Sequence, residues 1–130
     1  MEVTEKTEIK TATIWIDEEG ILRLKIKEGA EIDLQEAQLC FETYKKLGCH
    51  ENKVLQLMEG GSFFCYDKDA LKYIADQGKH FFIAAALVNE FLAIRLVFTF
   101  FNSFFKHPVP FKMFSTKEKA LEWLRTFKVT

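Results

Sequence analysis

The chain has 130 residues, with 18 basic and 19 acidic side chains and a net charge of −1, so it offers no electrostatic footprint for nucleic acid or anionic lipid. That length suits one domain able to bury a core without metals or disulfides. Fourteen phenylalanines lift the aromatic share to 15%, and packing rather than polar chemistry is expected to dominate.

Residues 1–10 are charged and lack periodicity, which predicts a frayed or edge segment, with residues 11–130 forming a single domain. From Thr11 the apolar residues Ala12, Ile14 and Ile16 alternate with Thr13, Trp15 and Asp17. A turn at Asp17-Glu18-Glu19-Gly20 follows, and Leu22, Leu24 and Ile26 then alternate with Arg23, Lys25 and Lys27. This is a hairpin with one wet face, whose basic row reads as solvated strand surface.

Asp33 with Glu36 has the form of a capping box. The helix it opens places Ala37, Cys40, Phe41, Tyr44 and Leu47 inward and stops at Gly48, where a left-handed residue is wanted. Residues 53–59 make a short strand running into Gly60-Gly61-Ser62, a turn without the spacing of a phosphate-binding loop. Asp67 caps a second helix reaching Gly78, with Ala70, Leu71, Ile74 and Ala75 inward.

Residues 79–106 hold eight of the fourteen phenylalanines. The stretch predicts a fully buried strand from Phe82 to Val88, with Ala84, Ala85 and Ala86 small enough for helices to lie close on both faces. Asn89 is expected to cap a following helix over residues 91–105. At 100° per residue, Arg95, Thr99, Asn102, Ser103 and Lys106 form one narrow polar stripe on it. Two apolar bands remain, one of Ala93, Leu96, Val97, Phe100 and Phe104, the other of Ile94, Phe98, Phe101 and Phe105. One surface helix needs an apolar arc of roughly 100°, so the second band calls for a cover, either a neighbouring helix of the same chain or a two-fold mate.

A membrane span is not expected there, because Asn89, Glu90, Arg95 and Asn102 interrupt the run and an arginine at mid-bilayer costs about 2.5 to 3.5 kcal/mol. His107-Pro108-Val109-Pro110 ends the helix. Phe111 to Phe114 is a short strand, Ser115 and Glu118 suggest another capping box, and Ala120, Leu121, Leu124 and Phe127 line the last helix.

The order β-β-α-β-α-β-α-β-α predicts an α/β fold, a mixed sheet with an N-terminal antiparallel hairpin and parallel βα units. That order resembles the small SpoIIAA-like domains, related to the STAS domains of anti-sigma factor antagonists and sulfate transporters. Residues 83–124 carry the motif-level likeness to an uncharacterised bacterial branch: the alanine-rich strand ending Leu87-Val88, Arg95 and Asn102 on the helix, Pro110-Phe111-Lys112-Met113-Phe114, and Ala120-Leu121-Glu122-Trp123-Leu124. The resemblance implies a non-enzymatic binding or regulatory module. In the anti-sigma antagonists a serine at the start of the helix after the third strand is phosphorylated. Here residues 59–67 read EGGSFFCYD, leaving Ser62 as the candidate phosphoacceptor, displaced and followed by bulky rings, with an ordinary turn serine as the competing reading.

No catalytic set is legible. His50, His80 and His107 have no partner at metal-pair spacing, and G-x-S-x-G is absent, so neither metal nor cofactor is expected. Glu59 and Glu90 fall at the ends of predicted parallel strands and, with Arg95, frame a possible small polar site, or else Glu90 and Arg95 form a local ion pair. Cys40, Cys49 and Cys65 are odd in number, without C-x-x-C spacing or a leader-like run before them. They suggest a cytoplasmic protein with structural thiols.

The leading functional expectation is a protein-interaction module, a homodimer or a complex with another protein, through Ile94, Phe98, Phe101 and Phe105 with Arg95 and Asn102 as polar rim. The alternative is a carrier of a small hydrophobic or lipid-like molecule, in which the same rings line a cavity and Arg95 meets a head group. An enzyme using Glu59, Glu90 and Arg95 ranks last.

Overall fold

The computed structural model describes residues 4–60, 64–92, 95 and 109–128. In chain order its elements are β1 (Thr7–Glu8), β2 (Ala12–Ile16), β3 (Leu22–Ile26), β4 (Ala30–Ile32), α1 (Leu34–Lys46), β5 (Val54–Glu59), β6 (Phe64–Tyr66), α2 (Lys68–Gly78), β7 (Phe82–Val88), β8 (Phe111–Phe114) and α3 (Lys117–Arg125). Six strands form one sheet in the order β1-β2-β3-β5-β7-β8, and β4 pairs with β6 apart from it. Pairing is antiparallel through β1, β2 and β3 and parallel from β3 to β8.

The predicted hairpin forms because its turn is built twice over. Asp17 Oδ1 accepts from the backbone N–H of Glu19 and Ile21 at 2.9 and 3.0 Å, while Gly20 takes φ of 79°, a conformation open to glycine at little cost. The helix signals act as read. Asp33 Oδ1 accepts from Glu36 N at 2.9 Å, Asp67 Oδ1 accepts from Ala70 N at 2.8 Å, and Gly48 leaves α1 at φ of 82°.

Three short strands join the predicted order. β1 has two residues and β4 and β6 three each, too few for alternation to show in a sequence. Pairing creates them, as Thr7 meets Ile14 across β2 and Ala30, Glu31 and Ile32 meet Phe64, Cys65 and Tyr66. The cap of the last helix also moves by one residue. Thr116, not Ser115, is the N-cap and accepts from Lys119 N at 3.4 Å. Sheet pairing of Val88 with Phe114 holds the strand to its end, so the helix begins later and Glu118 lies too near its start to close a capping box.

Two apolar layers flank the sheet. On one face α1 and α2 cover Ala12, Ile14, Leu22, Leu24, Phe82 and Leu87. On the other α3 sets Ala120 and Leu124 against Leu55, Leu57, Ala84 and Ala86. Among the described residues the alanine-rich strand therefore has a close helix on one side, and a cavity lies over Ala85 on the other. Strand β7 is not wholly buried either, since Ile83 is 41% exposed. A register shift explains this: Val54 and Leu55 pair with Phe82 and Ala84. Ile83 is thus the extra residue of a bulge, left partly open to solvent beside Leu55 and Phe127.

The β2–β3 turn is also tied to the C-terminal helix. Glu19 accepts from Arg125 at 2.6 and 3.0 Å and from Lys128 at 2.9 Å. These charge-assisted hydrogen bonds hold the Glu19 carboxyl at about 2 against an ordinary value of 4.5. Because the folded-state pKa is depressed, this contribution to stability is complete above about pH 4.5 and is lost as pH falls toward about 2. The acid limb of a urea-unfolding series should therefore be shallower in Glu19→Gln than in the parent over that window. Parallel limbs would exclude the linkage.

Candidate functional site

The carboxyl ends of parallel strands are where ligands of open α/β sheets gather. Here that edge carries Glu59 from β5, Val88 from β7 with Asn89 directly after it, and Phe114 from β8. Asn89 is buried, and its Oδ1 accepts from Phe91 N at 2.8 Å, as expected of a cap. Its own N–H donates to Phe114 O at 3.0 Å, which pins the end of β7 to β8. Gly60 N donates to Val88 O at 3.1 Å. Its N–H thus extends the sheet rather than facing an anion, and a Cβ there would run into the Phe64 ring.

Glu59 is engaged by a partner that sequence reasoning did not assign to it. Arg23 Nη2 donates to Glu59 Oε1 at 2.5 Å and Arg23 Nη1 to Asp17 Oδ2 at 3.3 Å. The Arg23 guanidinium also lies 5.3 Å from the Trp15 ring centroid, and Lys6 Nζ lies 4.6 Å from it, within cation–π range. Only pairing discloses the cluster, through Trp15 opposite Arg23 and Lys25 opposite Glu59. The available signal was a tryptophan and an arginine at mirrored places in a hairpin whose turn could be counted.

Glu90 is exposed, and Arg95 is partly buried in helical backbone with its N–H donating to Phe91 O at 3.2 Å. Beside them Phe91 is 40% and Leu92 60% exposed. Ser62, Ile94, Phe98, Phe101, Asn102 and Phe105 lie outside the described residues. Among the described residues no cluster of histidine, cysteine or acidic side chains could hold a metal, and no helix is long and apolar enough to cross a membrane.

The interior offers a second locus that the sequence hid. Between the sheet and the α1–α2 layer is a cavity of about 100 Å³ reached by Cys40, Tyr44, Gln56 and Tyr66 as well as by apolar side chains. Gln56 stands in the centre of β5 and donates from Nε2 to the Tyr44 hydroxyl at 3.3 Å. Burial pushes the Cys40 thiol up to about 12 and the Tyr44 and Tyr66 hydroxyls well above their ordinary range, so all three stay neutral. A lone amide in the otherwise apolar run Val54-Leu55-Gln56-Leu57-Met58 was the cue for this wall.

With fold and site described, the likeness to known proteins can be stated. The family described as "Domain of unknown function (DUF7793)" matches residues 14–128. The chain belongs to the DUF7793 family. No curated protein matches this DUF7793 chain significantly. Among solved structures it is similar to an uncharacterised protein of the DUF3478 family with a SpoIIAA-like fold, from Shewanella loihica PV-4, at 17% identity and a TM-score of 0.56. That match covers 94% of this chain and 93% of the other. It is also similar to the anti-sigma factor antagonist SpoIIAA in its unphosphorylated form, at 14% identity and a TM-score of 0.57, over 88% of this chain and 97% of the other. The DUF7793 chain thus has a SpoIIAA-like fold, as its element order resembled.

Proposed function

We propose that this DUF7793 domain is a non-enzymatic cytoplasmic regulatory module that acts by protein contact and self-associates through residues 91–105. The observation that carries the reading is the pair Phe91 and Leu92, large apolar side chains 40% and 60% exposed at the head of that aromatic segment. Adjacent exposed apolar groups opening such a segment favour an interaction surface. Ile94, Phe98, Phe101 and Phe105 supply its apolar centre in this reading, with Arg95 and Asn102 as rim. The doubled contact of three rings comes to about 1,000 Å², near the lower bound for a specific interface. Likeness in fold to an anti-sigma factor antagonist supports a regulatory role. Free thiols at Cys40, Cys49 and Cys65 suit a reducing compartment.

Light scattering over a dilution series tests this directly. The parent should give a dimer mass, and Leu92→Asp or Phe101→Asp should give a folded monomer, with affinity reduced at least tenfold. A parent that stays monomeric at every concentration sinks the self-association reading.

A further inference from the structure

The cavity beneath α1 and α2 is bounded by small residues from four separate elements, Ala12 of β2, Ala37 of α1, Ala75 of α2 and Ala85 of β7. Four alanines around one void are too short to meet across it, whereas α3 on the opposite face lies close on Ala84 and Ala86. No described lining residue is charged, so an ionic guest would find no countercharge among them. An apolar cavity of roughly 150 Å³ takes up benzene, and this one, at about 100 Å³, is of the same order.

One polar group sets it apart from a plain packing void. Thr11 lines the cavity, is 2% exposed, and its Oγ1 has no hydrogen-bond partner. Buried hydroxyls are nearly always paired, and a threonine hydroxyl can both donate and accept. Of the other polar groups on the wall, Gln56 and Tyr44 meet each other at 3.3 Å, and the Tyr66 hydroxyl and Cys40 thiol also reach it. Thr11 adds a buried hydroxyl with no partner to a mostly apolar chamber, the usual composition of a small-molecule site.

We propose that this cavity is a ligand site for a neutral molecule of about benzene size bearing one hydrogen-bonding group, held by the Thr11 hydroxyl. Phenol and other simple aromatic alcohols represent the class. Arg95 is not among the described lining residues, so this site differs from a chamber built of residues 91–105 with Arg95 at its mouth. It is also independent of self-association: either proposal can fail while the other stands.

The test is calorimetric titration of the full chain with phenol and, in parallel, benzene, with the melting midpoint followed alongside. Both should bind saturably, and phenol should raise the midpoint. Thr11→Val should weaken phenol about three- to tenfold, the worth of one hydrogen bond, leave benzene within about twofold, and melt no lower than the parent. Ala85→Leu should fill the chamber and abolish both; if that chain does not fold, Ala75→Val narrows the same space from the helix side. Failure of the parent to bind either probe saturably overturns the proposal, leaving a water-filled void. Unchanged phenol affinity in Thr11→Val overturns it too.

Discussion

Phe41→Ala should lower the unfolding free energy by about 3 to 5 kcal/mol, the range for truncating a buried ring. Phe41 is buried on α1 and joins the two helices to the sheet through a cluster of rings. Its centroid lies 5.0 Å from Tyr44, 5.6 Å from Tyr73 and 5.0 Å from Phe81, each edge to face, and 6.0 Å from Phe82. Such pairs add about 0.5 to 1.5 kcal/mol each beyond the area they bury. The ring also forms part of the cavity wall, so its loss enlarges an existing void rather than letting the core collapse. Urea denaturation followed by circular dichroism gives the number, with Leu39→Ala on the exposed side of the same helix as a control expected to cost under about 0.5 kcal/mol. Similar losses in the two variants would mean that this cluster does not organise the layer.

Arg23→Met should cost about 2 kcal/mol, less than the 3 to 5 typical when one partner of a fully buried pair is removed, because Glu59 keeps some contact with water. Arg23 is 14% exposed and bridges two carboxylates, Asp17 and Glu59, which would both lose their shared cation. Asp17 cannot swing away, since its other oxygen accepts from Glu19 N and Ile21 N in the turn. Adding Glu59→Leu to Arg23→Met should recover part of the loss by removing one stranded charge. Urea midpoints of the two single variants and the double variant measure the coupling. Strict additivity would show that the Arg23–Glu59 contact contributes nothing to folding.

The two experiments probe signals of opposite legibility. Phe41 could be placed from the chain alone, because Ala37, Cys40, Phe41 and Tyr44 recur at helical spacing behind the Asp33 cap. Capping and periodicity are local, acting over a few residues, and they survive reading in one dimension. The Arg23 cluster could not be placed that way. Its members come from positions 6, 15, 17, 23 and 59, and the basic row of β3 looked like plain solvated surface until parallel pairing set Glu59 beside Lys25. The cavity is more distant still from any local pattern, as it is a mismatch of side-chain volumes among β2, α1, α2 and β7.

The order of the longer described elements, the hairpin turn, the caps at Asp33, Asp67 and Asn89, and the inner faces of α1, α2 and α3 follow from the sequence by itself, because short-range hydrogen bonding and the 2.0 and 3.6 residue periods determine them. Tertiary structure alone decided which face of the alanine-rich strand α3 covers, where the bulge leaves Ile83 exposed, how β4 finds β6, and that the Thr11 hydroxyl is buried without a partner. Those outcomes depend on register and on the volumes of residues far apart in the chain, quantities that exist only once the layers have met.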